Sequence, residues 1–227
     1  MEEEKVENAK SSEIAEKYGI NLKKLEQEQE KLARQLAIKD SINFSTAERI
    51  GAIDNSFFQN KIISACIVLS PEMEILEQEY FQDKMKFPYI PGFRAYRELP
   101  TIIEAFNKLE EKPDFVFIRG HGIAHPRLGI ASHFSISTGV PAIGIADSLL
   151  VGEVKKEDIV LNGKKVGKVL QGKPGSRPLY VSPGDLISVE TAYEMAKKFI
   201  VLPHKLPEPL HLAHKYAKDI RKELFGW

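Results

Sequence analysis

The chain has 227 residues, enough for one large domain or two small ones, and 43% of them are hydrophobic, which excludes a disordered chain. Its 32 Lys and Arg residues balance its 32 Asp and Glu residues, so net charge neither favours nor excludes a nucleic-acid partner. The single cysteine, Cys66, excludes a disulfide framework and a cysteine-based zinc site. A charged N-terminus and the absence of an apolar run of about 20 residues predict a cytoplasmic protein without a membrane span.

The first half of the chain predicts a helix followed by three strands. Residues 1–21 are polar and weakly patterned, and we interpret them as an extension, either frayed or docked loosely as a helix. From Leu22 onward leucines recur at helical spacing, until Asp40 and Ser41 end the pattern. Short turns then separate strand-like segments, which predicts an antiparallel meander over residues 49–57, 61–69 and 74–81.

The second half has a different pattern. Two near-continuous apolar runs, 114–118 and 141–146, are typical of parallel strands buried on both faces. Further segments are predicted as helices over 96–109, 127–138, 188–199 and 209–224, and as shorter strands over 164–170 and 178–181. We therefore predict one α/β domain over residues 22–227, with a meander that leads into parallel strands as in a ribonuclease H-like mixed sheet. The pattern alone leaves other mixed sheets open.

Charge is unevenly distributed along the chain. No acidic residue lies between Ile159 and Gly184 or between Phe115 and Ala146. The first stretch carries five basic side chains, Lys164, Lys165, Lys168, Lys173 and Arg177. These stretches favour a positive face and a polyanionic substrate, and a solvated lysine-bearing hairpin is the alternative.

Two acidic residues are candidates for a metal site. Asp54 follows an apolar half-strand, where a carboxylate is costly to bury unless it is paired or binds a metal. Glu98 lies in the first turns of a predicted helix, where the helix dipole favours a carboxylate even without a catalytic role. A turn aspartate is the alternative for Asp54.

Pro88 and Pro91 flank Tyr89 and Ile90 in a stiff loop. We expect the loop to hold the aromatic and the aliphatic side chain outward, where rigid apolar groups can enter a base stack. A proline-rich turn with a core-facing tyrosine is equally compatible with these residues.

A second loop, residues 119–127, follows the first buried strand. Gly120 and Gly122 allow a ligand to approach the backbone closely, and His125 lies between them and a helix. The loop matches neither a complete dinucleotide-binding motif nor a zinc-protease motif, but the carboxyl end of a parallel strand is a usual ligand site. Arg119 and Asp147 end the two buried strands, so they face each other across the edge of a site if these strands are neighbours, and a buried salt bridge is the alternative.

Two histidines lie near the start of the last predicted helix. His211 and His214 are three residues apart, so both could point into one site, and a surface pair is the alternative.

Together these segments resemble the endonuclease V family over roughly residues 25–224. The matching motifs are Ala52-Ile-Asp-x-Ser-Phe57, Pro88-Tyr-Ile-Pro-Gly-Phe93, Arg97-Glu98, Gly120-His-Gly-Ile-Ala-His-Pro-Arg127, Gly129-Ile-Ala-Ser-His133, Val140-Pro-x-Ile-Gly144, Tyr180-Val-Ser-Pro-Gly184, Glu190-Thr-Ala192, Leu206-Pro-Glu-Pro-Leu210 and Ala213-His214.

The resemblance implies a ribonuclease H-like DNA repair nuclease that cleaves one nucleotide 3′ of inosine with Mg²⁺, or with Mn²⁺ in its place. It implies that Asp54 and Glu98 bind the metal and that His214 is the C-terminal active-site histidine. The loop Pro88-Tyr89-Ile90-Pro91 matches the family's strand-separating wedge. The residues Gly120, Gly122 and His125 match the loop that lines the pocket of the flipped base.

Three positions depart from the family pattern. Arg119 stands where the family has a metal-binding aspartate, Asp147 where it has a lysine, and Asp185 where it has a histidine. Because the first two changes have opposite signs at neighbouring positions, we hypothesise a charge exchange. In this exchange Asp147 supplies the third metal carboxylate and Arg119 contacts the substrate phosphate.

We therefore expect a monomeric, cytoplasmic, metal-dependent endonuclease acting on inosine-containing DNA or RNA. A catalytically silent homologue that binds such strands without cleaving them is the alternative, and a nuclease for structured RNA is a third.

Overall fold

The computed structural model describes residues 2–226, with side chains from residue 9 onward. The helices are α1 (Glu2–Lys17), α2 (Leu22–Ala33), α3 (Arg94–Asn107), α4 (Ile130–Thr138), α5 (Val189–Lys198) and α6 (Glu208–Phe225). The strands are β1 (Ile50–Phe58), β2 (Lys61–Leu69), β3 (Ile75–Lys84), β4 (Phe115–Arg119), β5 (Ala142–Ala146), β6 (Glu153–Lys155), β7 (Asp158–Leu161), β8 (Lys164–Leu170) and β9 (Leu179–Asp185). None of these described helices has the length and hydropathy that crossing a bilayer requires.

The strands form one nine-stranded sheet in the order β3-β2-β1-β4-β5-β9-β8-β7-β6. Strands β1 to β3 are an antiparallel meander, β4 pairs in parallel with β1 and β5, and β9 returns antiparallel to β5. The predicted mixed α/β sheet is thereby confirmed. The sequence analysis missed β6 and β7, which extend the sheet beyond β8.

The hydrophobic core lies on both faces of the sheet because the parallel strands are covered by helices on both sides. On β4, Phe115 and Phe117 belong to the cluster under α5 and α6, and Val116 and Ile118 belong to the cluster under α3 and α4. All four side chains are at most 1% exposed. Burial on both faces explains why this strand reads as a continuous apolar run rather than an alternating one.

The N-terminal segment is a helix in the described part of the chain. Ala15 of α1 is buried against Ile90 and Phe93, so α1 docks beside the loop that precedes α3. The boundary of the domain at residue 22 stays a prediction.

The parallel strands bring the candidate residues to one edge of the sheet. Ile53 of β1 pairs with Ile118 of β4, and one residue beyond this pair come Asp54 and Arg119. Arg119 lies opposite Ile145 of β5, and Asp147 follows Ile145 by two residues.

Candidate active site

Asp54 is a buried carboxylate at the carboxyl end of the parallel pairing of β1, with only 5% of its surface exposed. Its Oδ1 accepts a hydrogen bond of 2.8 Å from the backbone amide of Asn55. Its Oδ2 lies 2.7 Å from Nδ1 of His214. His214 reaches this position because α6 packs across β1. A carboxylate on Nδ1 orients the imidazole and leaves Nε2 free to exchange a proton, as in other acid–histidine pairs.

Glu98 lies on α3 and is 3% exposed. Arg94, one helical turn earlier, donates to it from Nε to Oε1 at 2.7 Å and from Nη2 to Oε2 at 2.9 Å. Burial alone would lower the pKa of Arg94, but the charge and hydrogen bonds of Glu98, together with the charges of Asp54 and Tyr89, outweigh this effect and raise the pKa above its ordinary value. Arg94 therefore stays a cation and neutralises Glu98 through a bidentate contact.

Asn55 connects the two acidic residues. Its side-chain Nδ2 donates to Oε2 of Glu98 at 2.7 Å, and its backbone amide donates to Asp54. Its amide oxygen Oδ1 is buried and has no hydrogen-bond partner among the described residues. A buried acceptor of this kind is costly unless a cation or a donor reaches it.

Arg119 and Asp147 form an ion pair across the ends of β4 and β5, as their neighbouring strands predict. The other oxygen of Asp147 accepts from Nζ of Lys205 at 2.9 Å. Burial alone would raise the pKa of Asp147, but the hydrogen bond from Lys205 and the charge of Arg119 hold it below its ordinary value. Nη1 of Arg119 is buried without a partner among the described residues, so one donor of this cation is unsatisfied.

Asp54, Glu98 and Asp147 do not form a group of three metal ligands among the described residues. The structure joins Asp54 and Glu98 through Asn55, but both oxygens of Asp147 are held by Arg119 and Lys205. A role of Asp147 as third metal ligand therefore stays a prediction, and it requires these ion pairs to open.

The donors at Asp54 and Glu98 fit a hard divalent cation in chemical type. Two carboxylates and the orphaned amide oxygen of Asn55 are oxygen ligands, which Mg²⁺ and Mn²⁺ prefer. Arg94 already holds both oxygens of Glu98, so a divalent cation at this position competes with the guanidinium.

The glycines of the 119–127 loop are required by packing. A Cβ on Gly122 would lie 1.9 Å from the carbonyl oxygen of Pro183. The amide of Gly122 donates to Oγ of Ser182 at 2.8 Å, and the amide of Gly120 donates to the carbonyl of Ile145 at 2.9 Å. Both amides are thus used within the protein, and neither is a free donor for a ligand; the role of Gly120 and Gly122 in lining a base pocket stays a prediction.

His125 is buried in the same loop, with 6% of its surface exposed. Burial, assisted by the nearby positive charge of His121 and Arg127, lowers the pKa of His125 to about 3. Its Nδ1 accepts from the amide of Arg127 at 3.2 Å, which assigns the remaining proton to Nε2. His125 is therefore a neutral hydrogen-bond donor at physiological pH.

A pocket of about 250 Å³ separates the 88–92 loop from the 119–127 loop. Tyr89, Arg94, His121 and His125 are among its lining residues. It is smaller than the roughly 300–1,000 Å³ of sites for drug-sized ligands. Arg94, the partner of Glu98, lines it. Its size and its mixed polar and apolar lining suit a single planar group such as a nucleobase.

The 88–91 loop differs from its prediction at one residue. Tyr89 is 61% exposed and points outward as predicted, but Ile90 is 1% exposed. Ile90 is buried because it packs with Ala15 of α1 and Phe93. The prediction of an outward aliphatic side chain was wrong, and the exposed part of the loop is the tyrosine between its two prolines.

Two further predicted residues lie away from the buried carboxylates. Asp185 is opposite Ala142, at the start of β5, whereas Asp147 follows the other end of that strand. Its Oδ1 accepts from the amide of Ala37 at 2.6 Å, so it fixes the segment after α2. His211 stacks on His204 instead of joining His214 at Asp54.

The predicted basic face is partly neutralised. Lys165 is paired with Asp158 and Glu190, and Lys168 is paired with the same two residues and with Glu157. The other basic side chains of this stretch form no ion pair within the described part of the chain. They are Lys164, Lys173 and Arg177.

Sequence reasoning missed Arg94, Asn55 and Lys205. Arg94 and Glu98 are four residues apart, the spacing of a helical ion pair, but the helix was predicted to begin at residue 96 and therefore excluded Arg94, whereas the observed helix begins at Arg94. Asn55 and Lys205 carried no signal, because their partners come from distant parts of the chain.

The family model of endonuclease V matches residues 30–215 of this chain. The chain belongs to the endonuclease V family. Endonuclease V of Thermosipho melanesiensis is 38% identical over 183 residues, covering 77% of this chain and 80% of the relative. Endonuclease V of Dictyoglomus thermophilum is 38% identical over 200 residues, covering 84% of this chain and 86% of the relative.

Solved structures of endonuclease V share the fold. The catalytic domain of human endonuclease V superposes with a TM-score of 0.80 at 27% identity, covering 89% of this chain and 97% of that one. A second structure is endonuclease V of Ciona intestinalis in complex with a 23mer DNA containing an inosine followed by a ribo-adenosine. It superposes with a TM-score of 0.80 at 25% identity, covering 89% of this chain and 98% of that one. The expected ribonuclease H-like fold of an endonuclease V family nuclease is confirmed.

Proposed function

We propose that this endonuclease V family chain is a divalent-metal-dependent endonuclease that recognises inosine in DNA or RNA and cuts one nucleotide 3′ of it. The observation that carries the proposal is the Asp54–His214 pair, joined through Asn55 to the buried Glu98, whose partner Arg94 lines a base-sized pocket. The inosine-containing DNA bound to the Ciona intestinalis relative supports the substrate class. A monomeric state and a cytoplasmic location remain predictions.

Asp54 and Glu98 are the residues we assign to the metal. Bound there, Mg²⁺, or Mn²⁺ in its place, would stabilise the charge that develops on the scissile phosphate. Asp147, the third predicted ligand, remains the partner of Arg119 in this assignment.

His214 is the candidate general base. With Nδ1 held at 2.7 Å from Asp54, Nε2 carries the lone pair that takes a proton from the attacking water. Its side chain is 39% exposed, so water and the substrate strand have access to it.

The remaining residues bind and orient the strand. The buried Nη1 of Arg119 has no partner among the described residues, so a turn of the side chain toward the strand would supply a donor for a phosphate oxygen, as the phosphate-binding half of the charge exchange requires. Tyr89 is exposed at the mouth of the pocket, where its ring can replace an extruded base in the stack. Neutral His125 offers a donor to the carbonyl oxygen of hypoxanthine, which stands where adenine has an amino group.

The silent homologue is the second candidate, and one observation favours it. Arg94 neutralises Glu98 through two hydrogen bonds, and the carboxylate of Asp147 is fully engaged. A site whose acidic residues are paired with the protein's own cations can bind a strand without an ion.

The test is an incubation of the chain with end-labelled single strands of DNA and RNA that carry one inosine. Each strand is assayed with Mg²⁺, with Mn²⁺ and with chelator, beside the same strand with adenosine in place of inosine. We expect a single product that ends one nucleotide 3′ of inosine, absent with chelator and absent in Glu98→Gln. Retention of uncut inosine strands under all three conditions would instead support the silent homologue.

A further inference from the structure

A second cluster of metal-binding side chains lies at the start of α6, outside the proposed active site. His204 precedes the helix, Glu208 is its first residue, and His211 follows one turn later. Their ligand atoms all lie within 4.8 Å of one another, and in the described part of the chain no other group of three His, Cys, Asp or Glu residues meets this condition.

The contacts within the cluster are short. Nδ1 of His204 lies 2.6 Å from Oε2 of Glu208, and the rings of His204 and His211 stack with centroids 3.6 Å apart and planes 14° from parallel. The three side chains thus bring two imidazole rings and one carboxylate together within ligand distance of a single ion.

We propose that His204, Glu208 and His211 form a second metal site, for a transition-metal dication of the Zn²⁺ class. Two imidazole nitrogens and one carboxylate oxygen are the donors that Zn²⁺, Co²⁺ and Ni²⁺ take in proteins. This donor set differs from the all-oxygen set of Asp54 and Glu98, which suits Mg²⁺. The site does not depend on the proposed cleavage activity.

The side chains reach coordination geometry by small movements. Ligand bonds of about 2.0–2.1 Å in a tetrahedron place neighbouring donor atoms about 3.4 Å apart. Because the nitrogen lone pair lies in the ring plane, the two rings turn out of their parallel stack when both bind one ion. His204 is 35% exposed and Glu208 14%, so solvent leaves room for this turn and for a water as fourth ligand.

The second site adjoins the proposed active site through the same helix and loop. His211 lies one turn before His214, the partner of Asp54. Lys205, the residue after His204, holds Asp147. An ion in the cluster thus ties the loop that positions Asp147 to the helix turn before the general base.

The experiment uses the full chain, stripped with chelator and titrated with Co²⁺, whose visible absorption reports tetrahedral coordination. Zn²⁺ is then added to displace the Co²⁺ signal. The variants are His204→Asn, Glu208→Gln and His211→Gln, with far-UV circular dichroism to verify folding. The control is Asp54→Asn, which removes a ligand of the proposed Mg²⁺ site and leaves the cluster unchanged.

We expect one equivalent of tetrahedral Co²⁺, displaced by Zn²⁺, in the unaltered chain and in Asp54→Asn. Changes to residues that only support the ligands weaken metal binding roughly 10- to 100-fold. Because His211→Gln removes a direct ligand, we expect its Co²⁺ affinity to fall by at least as much. His204→Asn repeats the test at a partly exposed loop residue if His211→Gln does not fold. The proposal is overturned if the unaltered chain shows no saturable Co²⁺ binding, or if binding survives in the folded histidine variants.

Discussion

Arg94→Leu is the sharpest test of the buried carboxylates, because the substitution removes the cation that neutralises Glu98. Two charge-assisted hydrogen bonds, 2.7 and 2.9 Å long, are lost from a carboxylate whose side chain is 4% exposed. Removing one partner of a fully buried ion pair costs about 3–5 kcal/mol. Arg94 is 35% exposed and Asn55 keeps its bond to Glu98, so we expect a loss of about 2 kcal/mol without divalent ions.

The same substitution frees the oxygens of Glu98 for an ion. We therefore expect Mn²⁺ to restore more stability to Arg94→Leu than to the unaltered chain, measured by urea unfolding with MnCl₂ and with chelator. The matched control is Arg127→Leu, which breaks an ion pair with Glu26 away from the two carboxylates. Equal stability of the variant and the unaltered chain in chelator, or an equal response of both to Mn²⁺, would refute this reasoning.

Four further predictions follow from contacts of the site. Gly122→Ala pushes a methyl group against the carbonyl of Pro183 and should lower the free energy of unfolding by about 3 kcal/mol or more, read from urea curves. His214→Gln should slow cleavage about 10²- to 10⁴-fold while strand binding, measured by fluorescence anisotropy, persists. Tyr89→Ala should weaken binding of inosine strands with no change in melting temperature, since the ring is 61% exposed. Burial lowers the pKa of His125 to about 3, so on acidification the unfolded chain binds a proton at this residue before the folded chain does. The free energy of unfolding should therefore fall as the pH drops below about 6.5. Equal urea midpoints at pH 5 and pH 7 in the unaltered chain, or an equal drop of the midpoint in His125→Gln, would contradict this.

The parallel strands and their ends could be predicted from the sequence because the signal for them lies in consecutive residues. Continuous apolar runs identify β4 and β5, and parallel neighbours place Arg119 and Asp147 at one edge. The motifs that resemble endonuclease V indicated Asp54 and His214, and these two side chains meet in the structure.

What the sequence could not predict depends on long-range packing. Nothing in the 88–91 loop shows that Ile90 turns inward, because its partner Ala15 comes from a helix more than 70 residues earlier. The glycine pattern at Gly122 does not reveal that its amide is occupied by Ser182. Strands β6 and β7 have only three and four residues, too few for an apolar periodicity to identify them.

Helix α3 has a consequence for where a strand is cut. Tyr89 lies five residues before this helix, and Glu98 lies in its second turn, joined to β1 through Asn55. The buried Ile90 and Phe93 anchor the chain between Tyr89 and the helix. In the proposed function, this short anchored segment joins the ring that enters the base stack to the acidic residue at the scissile phosphate, so the product length should be uniform whatever bases flank the inosine.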